Sequence, residues 1–570
     1  MRRPGDRATR FITLEEPTQS QNAEGRDAAP NQAEVEQAFL PGSKSSACAE
    51  MSFARESGDL GGASASMVDA RQSREGEEPQ AVMKHSEESD EAIVPKKPAK
   101  TRVTPVESVE GRAEAKGKPS GRNTPSTQSE SGVKTFLQRV GQRAKARKQE
   151  RFTNLLSHVK VPLLKQAYQG LRKDAAPGVD EMTWEAYGEK LEERLAGLQA
   201  RVHQGSYRPQ PVLRVYIPKG NGGKRPLGIP ALEDKIVQQA VRMVLEPIYE
   251  AEFVGFSYGF RPGRSPHGAL DALAVAMERR VSWVLDADIR SFFDTIEHEW
   301  LRRFVEHRIG DRRLVRLLVK WLKAGVMEDG QQQAVTKGTP QGGIISPLLA
   351  NIYLHYVLDL WAQKWRKEQA RGDVYIVRYA DDFAMGFQKE EDARAMREAL
   401  AERLAKFGLE LHTEKTRVLR FGRYALKDCR LDGRRKPETF DFLGFTHVSG
   451  TERSRGRFQL IRRTSGKKRR AKIASLQKEM VGRRHTPVAK QFIWLSSVLR
   501  GHYRYYGVPT NYAALERFFR EVRVRWYRSL QRRSQRGRWG RGKYDAFDLR
   551  FPLPKPSIQH PWPSQRLVLR

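Results

Sequence analysis

Two adjacent carboxylates, Asp381 and Asp382, sit between apolar segments that read as short strands. Val374, Ile376 and Val377 come before them, and Phe383, Met385 and Phe387 after. At the tip of such a hairpin the paired acids of Tyr379-Ala380-Asp381-Asp382 cannot spread apart. A divalent cation between them relieves their repulsion, so the arrangement suits Mg²⁺. A hard cation held this way, its octahedron completed by substrate phosphates, is the working end of nucleotidyl-transfer chemistry. By itself the tetrapeptide is a weak signal, because any polar turn can carry paired acids.

The residues around it add the weight. Upstream lies Trp283-Val284-Leu285-Asp286-Ala287-Asp288-Ile289, which alternates as a strand, followed by Phe292-Phe293-Asp294 and a helical pattern after Thr295. Asp286 and Asp288 are two apart and therefore share one strand face, so either could meet the Asp381 pair. Asp294, three residues before Glu297, has the spacing of a helix N-cap with its box partner. In Gly338-Thr339-Pro340-Gln341-Gly342-Gly343, small residues let backbone approach a ligand and Gln341 offers both donor and acceptor. In Ile217-Pro218-Lys219 through Lys224-Arg225-Pro226, two strands flank a glycine turn and present Lys219 and Arg225, suited to clamp a triphosphate. A surface hairpin with solvated charges is the competing reading of that block.

The elements that must hold these groups follow from periodicity. Helical spacing runs from Phe152 to Leu171, from Trp184 to Leu198, and over residues 234–250. Strands and helices alternate to about residue 420, and helices dominate after 465. Residues 1–130, rich in Ser, Gly, Ala, Glu, Gln and Pro, lack sustained apolar periodicity and are expected to form a disordered tail. Order is expected to begin near Ser131.

Charge divides the chain in the same way. The 570 residues carry a formal net charge of +35, yet residues 1–130 hold 18 Lys+Arg against 22 Asp+Glu, a net of −4. Residues 451–550 hold 28 basic and 6 acidic side chains, a net of +22. A region this basic calls for a polyanion, and nucleic acid is the default partner. The two cysteines, Cys48 and Cys429, exclude a disulfide framework and any Cys-x-x-Cys zinc site. No apolar run reaches membrane-spanning length, and no N-terminal segment reads as a signal peptide, so an intracellular, cytoplasmic protein is expected and the expected partners include no membrane.

Taken in order, the blocks resemble the group II intron-encoded reverse transcriptases/maturases. The resemblance runs from about Phe152 to Pro563. It also takes in Ala176-Pro177-Gly178-Val179-Asp180, Tyr258-Gly259-Phe260-Arg261-Pro262-Gly263-Arg264-Ser265, Gly408 through Thr416, and Phe442-Leu443-Gly444-Phe445. It implies an α+β right-hand polymerase: fingers and palm with antiparallel sheet over residues 131–450, then an α-helical thumb/maturase domain with a basic C-terminal segment over residues 451–570. It also resolves the choice between the two upstream acids. The family's first catalytic aspartate is followed by Ile and, five positions after itself, by an aromatic; Asp288 with Ile289 and Phe293 fits, and Asp286 becomes a neighbouring structural acid.

By the same resemblance, Asp288 and Asp381 bind both of two Mg²⁺ ions, with Ile289 in the metal shell and Asp382 supporting. Phe293 excludes a 2′-hydroxyl and so favours dNTPs. Lys219 and Arg225 contact the triphosphate, Pro340 and Gln341 pack on the incoming nucleotide, and Lys415 lies near the phosphates. The implied partners are intron RNA, an RNA template with a DNA primer, and target DNA, with the oligomeric state open.

For RNA contact the sequence offers Arg261, Arg264, Arg504, Arg517 and Arg525. Three apolar helix stripes run through the basic region: Ile473, Leu476 and Met480; Val488, Phe492, Leu495 and Leu499, stopping at Gly501; and Tyr512, Leu515, Phe519, Val522 and Trp526. Tyr503, Tyr505 and Tyr506 read equally as base-stacking rings or as core. With no cysteine pairs at the end of the chain, an HNH-type endonuclease domain is not expected. The rival readings are a splicing-only RNA-binding maturase and a domesticated reverse transcriptase of defence or repair.

Overall fold

The computed structural model describes residues 125–218, 223–452, 456–534 and 540–566. The expected tail lies outside them up to residue 124, as do Lys219 and the turn residues 220–222. The fold is α+β. Its first described helix, Pro125–Ala146, begins ahead of Ser131 and packs along the helix Leu232–Glu250, burying Val140 and Ala144.

The helix expected from Phe152 to Leu171 is cut short. Asn154 takes φ 57°, Leu156–His158 forms a single 3₁₀ turn, and only Val161–Gln169 is α-helical, with a proline in its first turn. The backbone of Phe152 is engaged elsewhere: its N–H donates to Arg308 O at 2.7 Å, and its carbonyl accepts from Gly310 N. The next expected helix is two, Trp184–Gly188 and Leu191–Gln204. Thr183 caps the first of these, its Oγ1 accepting from Ala186 N.

Eleven strands are described, in three sheets. They are β1 (Val212–Pro218), β2 (Lys224–Ile229), β3 (Trp283–Asp288), β4 (Val326–Glu328), β5 (Gln331–Gln333), β6 (Val374–Tyr379), β7 (Asp382–Phe387), β8 (Arg417–Arg420), β9 (Thr439–Phe442), β10 (Phe445–Thr451) and β11 (Phe458–Thr464). The first sheet has the order β2-β1-β4-β5, the second β6-β7-β3-β8, and the third β11-β10-β9. Pairing within the sheets is antiparallel except for β1 with β4, a parallel pair that local periodicity does not announce.

The second sheet is covered on both faces, which explains its nearly continuous apolar strands. Leu285, Ala287, Phe383, Met385 and Phe387 enter the largest core cluster, together with the helices Leu232–Glu250 and Ser346–Leu354. Val284, Val377, Ala384 and Leu419 enter a second cluster, with the helix Pro266–Met277 and the third sheet. Along β3 the face that begins with buried Val284 ends in Asp286 and Asp288. The carboxylates therefore emerge where the second cluster stops.

The expected C-terminal stripes are core. Ile473, Leu476, Met480, Leu495, Leu499, Leu515, Val522 and Trp526 gather in a third cluster. The middle helix does not stop at Gly501 but continues from Val488 to Tyr506, because Tyr503 extends its buried face. Tyr512 is exposed, and Phe518, absent from the expected stripe, is buried. Among the described residues no helix is long and apolar enough to cross a membrane.

Candidate active site

The hairpin β6–β7 turns through Ala380 and Asp381 alone, with Tyr379 facing Asp382 and Ala380 at φ 56°. On the other side of β7 the register pairs Asp382 with Asp288. Asp381, Asp382 and Asp288 are thus brought to one end of the second sheet, as expected. Asp286 shares that face but is half as exposed as Asp288 (21% against 42% of the side chain) and pairs with Arg417 at 3.3 Å. It is a neighbour of the open group, not its centre.

The electrostatics of this end are unrelieved. Burial, reinforced by the charges of Asp381, Asp286 and Asp288, pushes the Asp382 carboxyl up to about 7, although a backbone hydrogen bond from Leu443 opposes the rise. Burial also raises Asp381, with Asp288 adding to the rise and Arg225 and Arg378 opposing it. Asp286 is raised by burial and lowered by Arg417. Asp288 is turned to Lys415, whose Nζ donates to Oδ2 at 2.6 Å. Among the described residues no three carboxylate, His or Cys groups are gathered into a ready-made metal cage. Oxygen-only donors with excess negative charge nonetheless suit a hard divalent cation and not a soft one.

Three loops close around these acids. Ile289 is buried, its backbone bridging Leu411, while His412 N donates to Asp288 O at 2.8 Å. Phe293 stands half-buried in the short helix Phe292–Thr295, edge-on to Phe292. Thr339 N donates to Phe293 O, which seats Pro340 and Gln341 beside it. Gln341 then links two other elements: its Oε1 accepts from Arg225 Nε at 3.1 Å, and its Nε2 donates to Asp294 Oδ1 at 3.4 Å. Asp294 therefore lies inside a short helix and faces this loop. The expected cap at that position is corrected, since Ser291 precedes the short helix and Glu297 precedes His298–Arg308. At Gly342, φ is 117° and a Cβ would come within 2.3 Å of Gly228 O, so only glycine lets this loop lie against β2. Arg225 is exposed near the start of β2; Lys219, its expected companion, lies outside the described residues.

The expected RNA contacts divide. Arg504 and Arg517 are exposed, Arg525 is half-buried against Glu521, and Arg264 is half-buried over the Tyr258 ring. Arg261 is a correction. Only 6% exposed, it is held by Glu250 and by the carbonyls of Val254 and Ser257, so its guanidinium braces a turn and presents no free face to RNA. Tyr503 is buried and donates to Pro554 O, while Tyr505 donates to Leu443 O and packs with Tyr506 on Phe445; the core reading of these rings holds.

Sequence reasoning missed the groups beneath the hairpin. Arg378, the residue before Tyr379, is fully buried and forms a two-pronged pair with fully buried Asp359: Nε to Oδ1 at 2.7 Å and Nη2 to Oδ2 at 2.6 Å. The one available signal was a cation in an otherwise apolar strand that packs on both faces.

Residues 217–447 match the family model described as reverse transcriptase (RNA-dependent DNA polymerase). Protein YkfC of Escherichia coli (strain K12) is 38% identical over 273 residues, covering 42% of this chain and 72% of that protein. The group II intron-encoded protein LtrA of Lactococcus lactis subsp. cremoris is 40% identical over 234 residues, covering 40% of this chain and 38% of LtrA. An uncharacterized 91 kDa protein in a cob intron of Schizosaccharomyces pombe is 36% identical over 222 residues, covering 38% of this chain and 27% of that protein. The matched stretch thus spans most of YkfC but well under half of the two intron proteins. The chain belongs to the group II intron-encoded reverse transcriptases/maturases.

Proposed function

We propose that this chain copies RNA into DNA from a DNA primer, using dNTPs and Mg²⁺, and that it also binds its intron RNA, assists splicing and supports retrohoming. The observation that carries the reading is the register of β3 against β7. It sets Asp288 beside Asp382 at the hairpin tip, with Arg225, Gln341 and Phe293 around them.

Asp288 and Asp381 are the groups to hold the cations, with the Ile289 carbonyl and Asp382 beside them. Two bound Mg²⁺ supply a more acidic primer 3′-hydroxyl and a stabilised pyrophosphate leaving group. Lys415, which donates to Asp288 at 2.6 Å, would be free to meet a substrate phosphate if Asp288 held a cation. Arg225, exposed and oriented by Gln341, offers its fork to the triphosphate, where charge accumulates in the transition state. Phe293, with its ring fixed against Phe292, bars a 2′-hydroxyl by occupying its place. The exposed arginines Arg504 and Arg517, with Arg525, belong to a thumb/maturase portion and Arg264 to the fingers and palm before it, and all four are offered to RNA phosphates.

Primer extension on an RNA template with Mg²⁺ tests the reading, wild type beside Asp381→Ala. Wild type should extend. The variant should lose about 10³-fold or more in rate, as removal of a metal-holding catalytic group implies, while still binding template–primer and assisting splicing. Extension by the variant at the wild-type rate sinks the polymerase reading.

A further inference from the structure

The Asp381–Asp382 tip stands on a dry polar platform, and every donor of Arg378 is used there. Besides its pair with Asp359, Nη2 donates to Ser257 Oγ at 2.7 Å, and Nη1 donates to Asn351 Oδ1 at 3.0 Å and to Ala380 O at 2.8 Å. A guanidinium has five N–H groups in a fixed fork, so this geometry is saturated and admits one orientation. The bond to Ala380 O is the significant one. Ala380 is the turn residue with φ 56°, and the peptide so fixed leads directly into Asp381. A second arm reaches the same turn from the other side, because Asn351 Nδ2 donates to Gly259 O at 2.7 Å. Gly259 in turn lies so close to the tip that a Cβ there would fall 2.2 Å from Ala380 N.

The helix that supplies the acceptors is distorted in the way this requires. Asn351 and Asp359 are eight residues apart, and on a straight α-helix they would point about 80° away from each other. Between them the chain makes a π-turn, His355–Asp359, whose wider i→i+5 closure turns less per residue and brings both side chains onto Arg378. A π-turn weakens a helix locally, and in this one it delivers a fully buried carboxylate to the strand just before the hairpin tip.

We propose that Arg378, locked by Asp359, Asn351 and Ser257, is a positioning residue for nucleotidyl transfer: it fixes the Ala380 peptide and thereby the orientation of the Asp381 carboxylate. This deepens the polymerase reading and rests on it. The residue touches neither substrate nor metal, so its substitution should lower turnover without weakening substrate binding.

The test compares Arg378→Lys, Asp359→Asn and Ser257→Ala with wild type and Asp381→Ala in primer extension, with rates taken per active site from a burst titration. The expected result for Arg378→Lys and Asp359→Asn is a fall in kcat of about 10²-fold, the scale of a misplaced reacting group, with KM for dNTP held within about twofold. Combining the two should cost no more than the worse one alone, since they break one unit. Ser257→Ala removes a single acceptor and keeps the fold testable if the charged variants do not fold; its kcat should fall several-fold. A purely structural role predicts fewer folded molecules but wild-type kcat in each, and that result overturns the proposal. Amide hydrogen exchange gives a readout independent of polymerase activity. Exchange at Ala380 and Asp381 should rise more than about tenfold in Ser257→Ala or Asp359→Asn while β3 amides stay protected. Unchanged exchange at the tip rejects the platform even if wild type extends primers. Inactive wild type with the expected exchange change rejects the polymerase reading and leaves the platform standing.

Discussion

The two sides of the β6–β7 hairpin handle charge in opposite ways. Above the tip, Asp381, Asp382, Asp286 and Asp288 crowd together with one lysine and two outlying arginines, and burial and mutual repulsion raise the proton affinity of three of them. Below it, Arg378 and Asp359 are completely buried, paired two-pronged, and joined by neutral acceptors that use every remaining guanidinium donor. The lower side is built to be finished by folding. Under the proposed function the upper side is left for a ligand to finish: its like charges would cost stability until cations bound, a common arrangement where function and stability compete. One hairpin carries both conditions, with Arg378 near the end of β6 and Asp382, four residues on, at the start of β7.

That contrast can be broken most sharply from below. Asp359→Ala leaves the Arg378 charge buried without its partner, and breaking a pair of this kind costs about 3–5 kcal/mol. Denaturant titration of the variant should show that loss. A change within experimental error would mean that water reaches Arg378 and that the lower side is not dry. A smaller effect comes from pH. His355, in the π-turn, is pushed down to about 3, first by burial and then by the positive charges of Arg378 and Arg261. The depressed value means that the unfolded chain binds a proton there before the folded one does. Stability is therefore full above the ordinary histidine pKa and falls as pH drops below it, by about 1.4 kcal/mol per pH unit for this one side chain. His355→Phe should remove that share of the slope between about pH 6.5 and pH 5, measured as the denaturant midpoint against pH. An unchanged slope would show that His355 is hydrated.

Much of the upper side was legible in the sequence, and little of the lower. Acids two apart on a strand and adjacent at a turn announce themselves by type and spacing, and glycines mark both the Gln341 loop and the turn that leads into the strand of Arg225. Choosing Asp288 over Asp286 needed the resemblance, because a period of two puts both on one face. The lower side depends on two kinds of information that periodicity does not carry. The π-turn at His355–Asp359 lies inside an uninterrupted apolar helical pattern, so nothing local says where Asp359 points. Arg378 and Arg261 are cations that pattern reading assigns to solvent or to RNA, and only tertiary packing shows them enclosed. The same limit explains Gly501. A glycine in a helix costs roughly 1 kcal/mol, which the buried faces of Leu499 and Tyr503 on either side outweigh.

From above, the contrast predicts a gain. Asp382→Asn removes one of the crowded carboxylates while keeping its shape. The Asp382 carboxyl titrates near 7 in the folded chain, well above an ordinary aspartate, so the folded state is the better proton binder there. Stability is then lost as pH rises from the ordinary aspartate range through about 7, and at alkaline pH the ionised group is a net cost. The variant escapes that cost. In metal-free buffer at about pH 8 it should be more stable than wild type by about 1–2 kcal/mol, a figure set below the full linkage value because Asp382 shares its repulsion with Asp381. Near pH 5 the difference should shrink, since wild type is then protonated at the same position. Millimolar Mg²⁺ at the higher pH should shrink it from the other side, because the cation stabilises wild type more than a variant with one carboxylate fewer. Thermal melts of both proteins, with Mg²⁺ and with chelator, read all three differences. A variant less stable than wild type in chelator at about pH 8 would show that the hairpin end is not under like-charge strain, and the division between its two sides would fail.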